Sequence, residues 1–174
     1  MQSSRIILAE NTYQALRNHL LPSKPKAEEA AFCFARYEAD YGFESVDWMP
    51  VPISDFAHRS LFHIELTDEN RAKVIKRAHD LNASIVEFHS HPKSRHAEFS
   101  ASDQSGFLEF VPHVRWRLKG RPYGAVVVTP TAFDSLVWIT DDKQPCGVLQ
   151  IQAGAKLMSP SGLSYSAMAR NDAL

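Results

Sequence analysis

The chain reads as a single α/β domain, a layered mixed β-sheet flanked by helices, and three observations lead there. Its 174 residues with 44% apolar content suffice for one core and are too few for two domains of ordinary size. Strand-like apolar runs alternate with stretches of helical periodicity along the chain. Around the middle, Leu61–Leu66, a helix opened by Thr67 and Asp68, and the run Ile85-Val86-Glu87-Phe88 make a strand, helix, strand passage typical of layered α/β folds.

Arg5 to Leu8 reads as a short strand. Tyr13, Leu16 and Leu20 then fall three and four apart, which predicts a helix over about Asn11–Leu21 that Pro22 stops. After the turn-rich Ser23-Lys24-Pro25-Lys26, the run Ala30–Ala35 is apolar on both faces and reads as a central strand. Glu44–Met49 alternates like a strand, and Pro50, Pro52 and Asp55 break the next segment into irregular structure. Thr67 caps a helix whose Val74, Ile75, Ala78 and Leu81 keep helical spacing. Phe107, Leu108, Phe110 and Val111 predict a helix that Pro112 ends or restarts. The basic run Arg115, Arg117, Lys119, Arg121 reads as its solvated face. Gly124–Thr129 and Phe133–Thr140 are two strands across a Pro-containing turn, with Val148–Gln152 as the last. The domain is expected over 1–158, and the small and polar residues from Ser159 onward predict a flexible tail over 159–174.

The overall balance excludes several classes. With 19 basic against 20 acidic residues, the net charge of -1 gives no footprint for nucleic acid. Cys33 and Cys146 stand far apart, outside any C-x-x-C, which suits a reducing compartment. No apolar run approaches the length of a membrane span and no signal peptide is visible, so a cytoplasmic protein is expected. A zinc deaminase would need H-x-E with P-C-x-x-C, and the chain has no C-x-x-C.

The chemistry concentrates in one stretch. His89 and His91, at i and i+2 at the end of an apolar strand, point to the same side, because side chains alternate with period two. Asp103 comes after a short loop, at the start of a helix, from where its carboxylate can reach back to the strand end. Two imidazoles and a carboxylate leave one position open, the arrangement of a catalytic zinc, and such a metal acidifies water and polarises a carbonyl. One Zn2+ per chain and amide hydrolysis are the expectations.

His89-Ser90-His91-Pro92, seven residues, Ser100, two residues and Asp103 together resemble the signature of the JAMM (MPN+) zinc metallopeptidases. The resemblance implies an MPN, cytidine-deaminase-like architecture and a catalytic glutamate at the entry to the first core strand. Glu28 and Glu29 stand there. Glu28 fits better, because Ala31 and Ala35 then occupy the family's small positions, where relatives usually carry glycine. On this resemblance Glu28 is the general base and Ser100 stands near the carbonyl oxygen. The implied substrate is a peptide or isopeptide bond after the C-terminal glycine of a ubiquitin-like protein. A bare domain of this kind resembles bacterial members encoded beside activating (E1-like) and conjugating (E2-like) enzymes, some of them in antiviral defence operons. The rival reading is a non-catalytic MPN scaffold, whose members have usually lost the ligands that this chain keeps.

Overall fold

The computed structural model describes residues 2–171. In chain order these form β1 (Gln2–Leu8), α1 (Glu10–Leu20), β2 (Ala30–Glu38), β3 (Gly42–Pro50), a 3-10 turn (Ile53–Asp55), β4 (Phe56–Arg59), β5 (Ile64–Leu66), α2 (Asp68–Asp80), β6 (Ser84–Ser90), α3 (Ala101–Arg117), β7 (Tyr123–Val128), β8 (Phe133–Trp138), β9 (Gly147–Ala153), β10 (Lys156–Met158) and α4 (Leu163–Asn171). Among the described residues no helix is long and apolar enough to cross a membrane.

The expected layered sheet is not what forms. Strands β1, β3, β2, β6, β7, β8 and β9 are hydrogen-bonded in that order, and β9 pairs in parallel with β1 from Gln2 opposite Gly147 to Leu8 opposite Ala153. Seven strands of mixed direction therefore close into a barrel, with β10 folded back on β9 and β4–β5 as a separate ribbon. The reason lies in the burial pattern. Runs buried at every position, such as β7 and β8, fit a sheet covered by helices on both faces. They fit equally a barrel wall with a packed interior and helices outside, and only the β1–β9 pairing separates the two.

All seven barrel strands contribute to one buried cluster, including Ile6, Phe43, Cys33, Val86, Phe88, Val126, Val137 and Leu149, and α1 adds Leu16 and Leu20. The alternate residues, among them Phe32, Phe34, Ile85, Tyr123, Ala125 and Trp138, form a second cluster with Val74 and Ala78 of α2 and Phe107, Val111 and Val114 of α3. A small barrel must fill its interior with side chains. At Gly124 that leaves no room, since a Cβ would stand 2.5 Å from Leu149 Cδ1 and 3.2 Å from Val86 Cγ1. Gly42, at φ +87°, turns β2 into β3 beside the Arg5 carbonyl, where a Cβ would overlap the oxygen.

Three local expectations change. Helix α3 runs through Pro112 without ending; the carbonyl that loses its donor belongs to Leu108, whose residue is exposed, so water can satisfy it. Arg115 is buried rather than solvated, its guanidinium donating to the carbonyls of Gly120, Ile139 and Thr140. Where a tail was expected, Leu163–Asn171 is a helix. The buried Asp134 caps it by accepting from Gly162 N and Ser164 N, both at 2.9 Å, while Tyr165 and Met168 pack on the outer cluster. Residues 172–174 of the expected tail lie outside the described residues.

Candidate metal centre

Strand β6 ends in His89 and Ser90, with His91 one residue beyond. The His91 N–H donates to Val128 O at 2.8 Å, so the chain past the strand end stays tied to β7. His89 Nε2 and His91 Nε2 are 3.2 Å apart, and Asp103 Oδ2 lies 3.3 Å from each. For bonds of about 2.0 Å to nitrogen and oxygen, tetrahedral ligand atoms stand roughly 3.3 Å from one another. The three donors thus already form one face of such a tetrahedron, and His89, His91 and Asp103 could hold a metal ion.

Asp103 owes its place to the start of α3. Ser100 is the N-cap: its Oγ accepts from Asp103 N at 3.1 Å, and Asp103 Oδ2 accepts from Ser100 N at 2.8 Å. This reciprocal capping box fixes the carboxylate. Its Oδ2 has lone pairs for both the cap and an ion. Burial works against the charge on Asp103, but His89 and the hydrogen bonds from His89, His91 and Ser100 outweigh it and hold the carboxyl well below the usual range. Burial works against a charged His89 too, yet Asp103, Glu87 and Glu28 raise its pKa above the ordinary value. Three acids drawing charge onto one imidazole is what a site shaped for a cation looks like.

The antiparallel register between β2 and β6 places Glu28. Ala30 is opposite His89, so stepping two residues outward brings Glu28 opposite His91, on the same face as both imidazoles. Glu28 Oε1 lies 3.7 Å from His91 Nε2, and the residue is 2% exposed. Its pKa is raised by burial, with His89 and His91 partly offsetting the rise. Its backbone is held at both ends, the N–H donating to Ser60 O and the carbonyl accepting from Arg59 Nε. Glu29 falls on the other face, opposite Ser90, and its carboxylate pairs with Arg59.

Sequence reasoning gave Ser90 no role. Buried between the histidines, its N–H donates to Glu29 O and its Oγ accepts from Glu29 N, both at 3.0 Å, so the motif serine sets the Glu28 register. Two other residues were missed. Arg59 anchors the segment around Glu28, and Glu87, two positions before His89 on the same face, lines a cavity and accepts a hydrogen bond from Tyr123. His63 stands exposed just ahead of β5, with Nδ1 3.2 Å from Ser102 Oγ.

Clefts open on both sides of the centre. One is lined by Glu28, Phe62, His91, Lys93, Glu98 and Ser100, the other by Phe32, Ile64, Glu87, His89, Asp103 and Phe107. The donor triad sits at their junction, so a chain bound across it would present one bond to the centre. No protein-family model matches this chain, and no curated protein matches it either.

Proposed function

We propose that this chain is a zinc-dependent amide hydrolase, a metallopeptidase of the JAMM type, acting after the C-terminal glycine of a ubiquitin-like protein. The observation that carries the reading is Glu28, a buried carboxylate 3.7 Å from a histidine of a three-donor site and on the same face. Zinc held by His89, His91 and Asp103 would supply Lewis acidity, polarising the scissile carbonyl and acidifying water.

The chain's own groups do the rest. Glu28 accepts the proton of the attacking water and returns it to the leaving amine, and its raised pKa suits a group that must do both. Ser100 Oγ accepts from Asp103 N, which leaves its own O–H free to donate to the carbonyl oxygen as negative charge develops. The two clefts supply binding on either side of the bond.

The substrates of this reading are conjugates or precursors of a ubiquitin-like protein. E1-like and E2-like enzymes of the same pathway are the associated partners, in the cytoplasm and in a bacterial defence setting. The test is a panel of ubiquitin-like fusions and lysine conjugates incubated with the zinc-loaded protein. Cleavage after the terminal glycine, abolished by chelation and by Glu28→Gln, is the expected result. Zinc-loaded protein that binds the panel and leaves it uncut would establish a scaffold instead.

A further inference from the structure

The cavity beside the donor triad, about 270 Å³, has walls of Phe32, Ile64, Leu66, Phe107 and Phe110. Among its lining residues Glu87 stands out as a half-buried acid within an otherwise largely apolar wall. Oε2 accepts from the Tyr123 hydroxyl, and among the described residues the other oxygen, Oε1, accepts no hydrogen bond. Oε1 is not among the buried atoms that lack a partner, so it is open to the cavity, and a cation entering there would replace its water with a charge-assisted hydrogen bond. Glu65 lines the same cavity, and Asp103 faces the metal side. Arg71 is the cation in the wall, and it is already engaged: its guanidinium lies 5.5 Å from the Phe110 ring centroid, with Asp68 Oδ1 at 3.8 Å.

We infer that this cavity is a specificity pocket for a long basic side chain, lysine or arginine, on the residue that follows the scissile bond, the residue before it being glycine in the proposed substrate. The aliphatic stem lies along the phenylalanine and leucine walls, and the charged head reaches Glu87. Glu87 is one side-chain step along β6 from His89, roughly 6.6 Å by strand geometry. A basic residue flanking a bond held at the triad has the reach to make that contact. The head recognised here is a free charge, separate from the amide nitrogen that hydrolysis releases.

The inference rests on the hydrolytic reading of the triad, but binding alone tests it. Nα-acetyl-lysine N-methylamide and its norleucine counterpart share a stem and differ in the charge. Each is titrated into the full chain at mildly alkaline pH, with chemical-shift perturbation as the readout. The lysine probe should bind about tenfold more tightly than the norleucine probe, a difference of about 1.4 kcal/mol, shifting resonances of Glu87 and Phe107. Glu87→Gln, which keeps the acceptor for Tyr123, should erase that preference, and Arg71→Gln, which removes the cation in the cavity wall, should enlarge it. Equal binding of the two probes to the wild type, or a preference that survives Glu87→Gln, overturns the pocket. A lysine preference without any cleavage of fusions would leave the pocket standing and remove the hydrolase. Cleavage without the preference would do the reverse.

Discussion

Glu28 faces His91 from a buried position, whereas Glu29 lies on the opposite face in an ion pair with Arg59. Glu28→Gln should retain the metal and lose about a hundredfold or more in turnover, because the proton acceptor is gone while the ligands are untouched. Glu29→Gln should keep turnover and lose roughly 1–3 kcal/mol of stability with its partly buried partner. Side-by-side cleavage and urea unfolding check both, and full activity of Glu28→Gln would remove Glu28 from the reaction. Glu87 gives a pH signature in the metal-free protein. Burial pushes its carboxyl to about 6 from the ordinary 4.5, with the Tyr123 hydrogen bond partly offsetting the rise. Between those values the folded chain keeps a proton that the unfolded chain has released, so stability falls as pH rises through the interval. The gap corresponds to about 2 kcal/mol. Glu87→Gln should therefore gain about that much on the wild type as pH goes from below 4.5 to above 6, and urea titrations at both ends that differ by nothing would refute it. The three donors His89, His91 and Asp103 were legible because their spacing is local to one strand and one helix start, whereas Glu28, far earlier in the chain, was reached only through the family resemblance. Glu87 was not legible, because its meaning depends on Tyr123, 36 positions away in the chain.

Helix α4 shows how a local reading fails at the level of elements. Ser159 to Asn171 has small and polar residues and a weak apolar pattern, so nothing in the segment itself announces a docked helix. Its capping acid, Asp134, comes from β8, and its Ser164 Oγ accepts from Phe99 N at 2.8 Å. That last contact ties the helix to the residue just before the Ser100 cap, 65 positions earlier in the chain. Truncation after Met158 should therefore do more than trim an end. It leaves the buried Asp134 carboxylate short of two donors and Phe99 N short of its acceptor, at a cost of several kcal/mol. Metal affinity should fall as well, since the Ser100–Asp103 box loses its support. Thermal unfolding and zinc titration of the truncated chain check this, and a truncated protein that melts and binds zinc as the full chain does would make α4 an ornament. By contrast, α2 was legible outright, because Thr67 caps it with its own side chain and its apolar stripe is self-contained.

The whole molecule differs from its expected form in one pairing. The succession of most strands and helices and the two-sided burial of the core strands were readable from apolar runs, but the β1–β9 pairing joins Gln2–Leu8 to Gly147–Ala153, and no local pattern reports a contact across that separation. Closure leaves β1 between β3 and β9, and it places the β2 and β6 ends that carry Glu28, His89 and His91 on the rim of a ring rather than in an open sheet. A rim supported all round holds the donor atoms 3.2–3.3 Å apart before any ion arrives, so binding need not order them. Hydrogen exchange tests the closure directly. In a barrel, amides along both β1 and β9 are bonded within the ring, so residues Arg5–Leu8 and Val148–Ile151 should exchange only with global unfolding. An open sheet would make one of these strands an edge, with alternate amides facing water and exchanging fast. Gly124→Ala should speed exchange throughout the ring, because its Cβ would force Leu149 and Val86 apart inside the barrel, at about 1–3 kcal/mol. Fast exchange at every second residue of β1 or β9 in the wild type would return the fold to an open sheet.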